Sequence, residues 1–298
     1  VGQYRLVTAR ESTGGVGRER SVFVSDVDAS DFGFRTLGIK PLSRARLEFG
    51  VDVNGRFGLG VVGTERIIDA FGELVSSKIE TAIENARGLD AALFSNAEVA
   101  LSKSVTVAGG VRFDQVTSRN QGGSFGDLST FDSAFSGFGS ATLNLPWGVA
   151  LSGQISRGFR DPGLSDRYFR GLSGRGLVTG NPFLQAETST QFDLAAHYTF
   201  QPGAVALYLY RYRIDDLIER FETERDMFFF RNRGEALIRG VEVESHFVLT
   251  GGWSLKAGVQ WVQGEAEEGD ALADIPPPKR GPAGVEAHFR KSTDPASI

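Results

Sequence analysis

The chain has 298 residues, no cysteine and a net charge of −5, with an isoelectric point near 5.4. These values exclude a disulfide framework and a thiolate metal site, and they give no global attraction to nucleic acid. Glycine (38) and phenylalanine (23) are abundant while proline is sparse (10), a mix that suits half-buried strands better than helices. No apolar run approaches the roughly 18 residues of a transmembrane helix. A membrane β-barrel stays open, because its strands are only half apolar.

Taken in chain order, the first clear strand sets Leu47, Phe49, Val51 and Val53 against Arg46, Glu48 and Asp52. Residues 67–88 break the alternation. Their composition and apolar spacing are helix-like, and they read as a rim loop with a short helix, or as a helix packed on a sheet. Alternation resumes with Val105, Val107, Val111 and Phe113, and again with Trp147, Val149, Leu151, Ile155 and Phe159. In residues 187–200 the even positions carry Phe192, Leu194, Tyr198 and Phe200, and the odd ones Glu187, Gln191, Asp193 and His197. Two further strands follow at Val241–Leu249 and Trp253–Trp261. The pattern predicts about eleven strands of ~10–14 residues, longer than those usual in soluble sheets.

Short turns at Ser102-Lys103-Ser104, Leu145–Gly148, Gln201-Pro202-Gly203 and Thr250-Gly251-Gly252 alternate with long polar connections at 117–134, 160–186, 216–233 and 265–281. An up-and-down barrel in an outer membrane has this plan, with tight turns on one rim and functional loops on the other. A soluble β-sandwich or solenoid also alternates, but it predicts neither the turn-length alternation nor the strand length. The expected fold is therefore all-β, a transmembrane antiparallel up-and-down β-barrel. The whole of 1–298 reads as one barrel domain. The loop-like run Lys291–Ile298 and the start at Val1-Gly2-Gln3 read as a piece of something longer.

Five motifs in order resemble TonB-dependent outer-membrane receptors. Arg157-Gly158-Phe159-Arg160-Asp161-Pro162 and Asn181-Pro182-Phe183-Leu184-Gln185-Ala186-Glu187 are similar to the paired "RGFRAP" and "NPxLKPETS" signatures. Asp161 stands in place of Ala, and Gln185-Ala186 in place of Lys-Pro. Asn232 to Glu242, through Gly240, resembles the "yrNxgeaxirGvElE" strand. Ile275-Pro276-Pro277 and Gly109–Asp114 resemble two further segments. The resemblance implies a barrel of roughly 22 strands around a plug, of which this sequence is a middle portion of about eleven strands. The N-terminal plug and the last strands would lie outside it. It also implies TonB-energised uptake of a scarce nutrient complex, most often a ferric siderophore, with cobalamin, heme and oligosaccharides open as other ligands, and with the TonB energy-coupling complex, outer-membrane lipid and lipopolysaccharide as partners and no nucleic acid. A passive pore and a soluble all-β ligand-binding domain are the alternatives.

Parity turns Arg160 toward the lumen with Gln154 and Ser156, where it would meet either a ligand or plug, or an inward carboxylate such as Glu187. Arg157 falls in the apolar register, where a strand-end arginine snorkels to the interface. Between Leu164 and Leu177, Arg167, Tyr168, Phe169, Arg170 and Arg175 offer guanidinium forks and aromatic faces suited to an anionic, flat ligand. Tyr168 is the one heme-ligand type there, since residues 163–180 hold no histidine. His197 and His246 read as lumen-facing hydrogen-bonders. Asp215/Asp216 and the acidic run 265–270 read as solvated loop or as a cation site. There is no Gly-x-Ser-x-Gly, HExxH or phosphate-binding loop, so no enzyme and no cofactor is expected.

Overall fold

The computed structural model describes residues 2–13, 20–173, 176–266 and 284–291. Seven antiparallel neighbours come first: β1 (Gly2–Thr13), β2 (Arg20–Pro41), β3 (Ala45–Ile68), β4 (Leu74–Ala100), β5 (Val105–Gln121), β6 (Leu128–Leu145) and β7 (Val149–Arg160). A short helix, α1 (Leu164–Tyr168), and two short strands, β8 (Arg170–Ser173) and β9 (Gly176–Thr179), interrupt the meander. It continues with β10 (Glu187–Phe200), β11 (Gly203–Glu224), β12 (Met227–Val248), β13 (Trp253–Ala266) and β14 (Gly284–Lys291). The path runs from β1 to β14 with β10 beside β7, and among the described residues β1 and β14 each have one neighbour. The result is a partial all-β barrel.

Register sorts the side chains into two opposite faces. Phe113 lies opposite Phe135, with ring centroids 4.8 Å apart on the outer face. Val111, Phe131, Phe135 and Leu194 are all at least 60% exposed there, as a lipid-facing stripe would be. The inner face is charged. Asp52 lies opposite Arg35 and accepts a second bond at 3.0 Å from Arg112, which also holds Asp114 at 2.6 Å. Apolar outside and ion-paired inside is the inverse of a soluble sheet. Among the described residues no helix is long and apolar enough to cross a membrane.

Residues 67–88 are neither loop nor helix. β3 runs to Ile68, a tight turn follows, and β4 starts at Leu74. The misleading spacing has a physical cause: the β3–β4 pairing shifts register between Arg56 and Leu59, between Leu59 and Val62, and between Ile67 and Ile68. Each bulge moves the apolar residues to the other parity, so a period of two is scrambled into something closer to a helical one. Residues 216–233 are likewise not a loop, since β11 and β12 extend through them and turn at Arg225-Asp226. The connection at 117–134 shrinks to 122–127, whereas 160–186 stands as expected. The four short turns fall where the alternation put them. Twelve strands form the continuous path, and several are far longer than predicted, up to 27 residues in β4.

Candidate functional site

The 161–186 segment starts where β7 leaves the sheet, and its first residues are held by charge. Arg160 faces Glu187 directly across β7 and β10, with Nε to Oε1 at 2.7 Å and Nη2 to Oε2 at 3.1 Å. Glu187 in turn accepts the backbone N–H of Ile218 at 2.8 Å, just past Asp216, whose φ is +57°. This pair therefore fixes an irregular stretch of β11 as well as the segment's base. Pro162 is fully buried, and Gly158 lies against the Ser189 hydroxyl. Arg157 is exposed, with Phe159 half-buried beside it, both in the outward register.

α1 turns inward. The backbone N–H of Gly163 donates to Asp166 at 3.0 Å, closing the helix start. Arg167 is only 1% exposed. Its Nη1 donates to the carbonyls of Pro182 (3.2 Å) and Leu184 (2.8 Å), and its Nη2 to Asp132 (3.0 Å) and Asp161 (3.2 Å). One guanidinium fork thus ties the two halves of the segment to β6. Burial pushes the Asp161 carboxyl up to about 6, with Asp132 adding to the rise and Arg167 opposing it. Tyr168, also 1% exposed, packs with Ala29, Leu59, Ile83 and Ala86 on β2–β4, and burial raises its hydroxyl. Phe169 packs on the edge of the same cluster.

Arg167 and Tyr168 thus do not present their side chains at the rim as the sequence suggested. The reason lies in the fold: turned inward, the fork reaches four acceptors at once, one of them Asp132, which the sheet brings from β6. Arg170 is exposed, and Arg175 lies outside the described residues. So do Ile275-Pro276-Pro277 and residues 267–270 of the acidic run. Asp215 is bonded to Arg213 at 3.1 Å.

The second half of the segment runs along the upper edge of β12. Asn181 accepts the N–H of Phe183 at 3.0 Å, making the turn that buries Pro182 and Leu184. Asn232 gives and takes one bond each with the backbone of Gln185, both at 2.9 Å, and donates to the Asp216 carbonyl at 2.8 Å. A single amide side chain stands in for a rung of the sheet. β9 pairs with Met227–Phe229 in parallel, and β8 pairs with β9. A small sheet, β11–β12–β9–β8, therefore bridges toward β4. On one of its faces Arg231 stacks over Phe221 at 4.4 Å and bonds Glu219 at 2.7 Å. On the other, Arg220 lies over Phe228 at 5.2 Å. Sequence reasoning missed these residues because it read 216–233 as loop; the Phe228-Phe229-Phe230 run was the available signal.

Residues 4–283 match the family described as TonB dependent receptor-like, beta-barrel. The chain belongs to that family. TonB-dependent receptor barrels reside in the Gram-negative outer membrane, so this chain is an outer-membrane barrel segment, and the family is one of transporters rather than enzymes. No curated protein sequence matches the chain. Among solved structures it resembles the copper transporter OprC (TM-score 0.71, 17% identity, 96% of this chain and 50% of that one). It also resembles the ferric yersiniabactin uptake receptor FyuA from Yersinia pestis (TM-score 0.64, 15% identity, 91% and 40%). A third is FpvAI in complex with pyocin S2 (TM-score 0.62, 11% identity, 96% and 41%). The chain spans about half the length of the first of these, and identities this low speak for the shared barrel alone.

Deeper in the lumen of this TonB-dependent receptor barrel, Gly240 is a packing requirement. A Cβ there would run into the Tyr210 ring and come within 2.8 Å of the Trp261 carbonyl. Tyr210 stacks on Tyr212 at 5.1 Å, and the Tyr212 hydroxyl donates to Asp193 at 3.0 Å. Toward the short-turn rim, Tyr208, His197 and Glu242 line a cavity with Glu244, His246 and Lys256. His197 meets Tyr208 edge-on at 5.4 Å.

Proposed function

We propose that this chain forms part of the wall of a receptor that takes up a ferric siderophore through the outer membrane, energised through TonB by segments outside this sequence. The polar, ion-paired inner wall suits a solute path, and the outward apolar stripe suits lipid. The observation that carries the ligand class is the Arg–Phe chemistry of the mouth. Among the described residues Arg170 and Arg220 are exposed and have no carboxylate partner, and Arg220 lies over the Phe228 ring. A guanidinium beside an aromatic face fits a flat anionic chelate such as an iron catecholate. The chain has no cysteine and one methionine, so recognition by this portion falls to such groups rather than to soft metal ligands.

The test is a binding titration of the intact receptor with a synthetic iron(III) tris-catecholate. Arg170→Ala combined with Arg220→Ala should raise Kd at least tenfold, as loss of charge-assisted bonds would. An unchanged Kd removes these residues from the ligand surface.

A further inference from the structure

We propose that the described residues of the 161–186 segment, 161–173 and 176–186, form a fixed crossbar over the barrel mouth, docked throughout the transport cycle, and that Arg167 is its positioning residue rather than a ligand contact. The proposal rests on the uptake reading above for its transport arm only.

The segment leaves between the seventh strand and its neighbour β10, yet it touches walls far to either side. On one side Leu164 rests on Gly88 of β4, where a Cβ would stand 3.7 Å from the leucine. Tyr168 is sealed into the β2–β4 cluster. Gly171 of β8 approaches so closely that a Cβ there would lie 2.9 Å from that of Ala82. On the other side β9 shares main-chain bonds with β12, Asn181 donates to the Phe230 carbonyl at 3.3 Å, and Asn232 brackets Gln185. β5, β6, β7, β10 and β11 lie between these two walls in the sheet order. One segment can reach both only across the concave side.

The middle is tied as firmly as the ends. Arg167 links the segment's two halves to Asp132 on β6, and Gly180 packs against the Arg167 backbone with its N–H donating to the Phe169 carbonyl at 2.7 Å. A lid that swings needs a lightly attached end and a hinge. Here any swing would strand a buried guanidinium, expose the Tyr168 ring and split the β9–β12 pairing. The crossbar therefore divides the mouth, and the ligand passes beside it.

The chain carries no cysteine of its own, so the two introduced thiols have no rival within it. In the intact receptor, Gly88→Cys with Leu164→Cys would lock the crossbar to β4 on oxidation. Uptake of iron(III) tris-catecholate should be the same within twofold for locked and reduced protein. In parallel, spin labels at exposed Ser165 and at Trp147 in a short turn report crossbar position without any transport. Their separation should be single and unchanged by the chelate. Arg167→Ala should broaden that distribution and raise the apparent KM, with Arg167→Lys intermediate. Uptake that stops on oxidation and returns on reduction overturns the fixed crossbar, as does a label separation that shifts with chelate. An Arg167→Ala distribution identical to wild type overturns the positioning role. If no form transports any ferric chelate, the uptake reading fails while the label separations still decide the crossbar.

Discussion

Arg167→Ala gives the sharpest energetic prediction. The substitution removes four bonds from one buried fork and leaves Asp132 and Asp161 facing each other without their cation. Breaking a buried ion pair by deleting one partner costs about 3–5 kcal/mol. Asp132 keeps 38% of its side-chain surface in contact with solvent and can rehydrate, so the lower end applies, about 3 kcal/mol. That corresponds to roughly a hundredfold shift in the equilibrium between docked and undocked segment. Native-state hydrogen exchange reads this locally. The N–H of Leu177 donates to the Asp226 carbonyl in the β11–β12 turn at 2.8 Å and that of Gln185 to the Asn232 side chain on β12 at 2.9 Å, so both bonds tie the segment to the barrel and break when it undocks. Their exchange should accelerate about a hundredfold, while amides in the middle of β5 and β6 keep their rates. Acceleration below about threefold, or equal acceleration throughout the barrel, would refute the assignment of Arg167 as the pin.

Three further outcomes follow from the same geometry. The Asp161 carboxyl, lifted from 3.8 to about 6, binds its proton more tightly docked than undocked. Docking should therefore strengthen as pH falls through 6 toward 3.8 and stay at its weakest, without further change, above about 6, a difference of at most about 3 kcal/mol; Leu177 exchange compared at pH 5 and 7.5, each against its intrinsic rate, checks this, and Asp161→Asn should flatten the dependence. Asn232→Ala loses the side chain that brackets Gln185 and holds Asp216, costing about 1–3 kcal/mol; the Gln185 amide should lose protection while β13 keeps its own. Gly240→Ala should overpack the lumen by about 1–3 kcal/mol, seen as a lower melting temperature in detergent. Tyr210→Ser in the same chain should recover only part of that loss, because the Trp261 carbonyl still crowds the new methyl.

Much of the barrel was legible because its outer and inner faces have opposite chemistry and every regular strand writes that contrast with a period of two. Leu47 to Val53 and Phe192 to Phe200 could be read directly, as could the tight turns between them. Where β3 and β4 are bulged, the period was lost and 67–88 looked helical. The β11–β12 hairpin was cut short for a different reason. Above the membrane its strands need no lipid face, so Glu219, Arg220 and Glu222 mimic loop composition while still pairing with Arg231, Phe230 and Phe228. Parity turned Arg160 inward and offered Glu187 as one of two kinds of partner, and the structure pairs the two. The roles of Arg167 and Tyr168 were not legible, because whether a loop arginine faces a ligand or an internal carboxylate depends on where Asp132, 35 residues upstream, is brought by the sheet.

The claim that this barrel belongs to a ferric-siderophore receptor is tested most directly by iron-55 uptake in iron-limited cells, with the intact gene deleted or restored. Tris-catecholate iron should enter restored cells at least tenfold faster than deleted ones, and dissipating the proton-motive force should abolish the difference. Equal uptake in both strains, or uptake that persists without the proton-motive force, would contradict it.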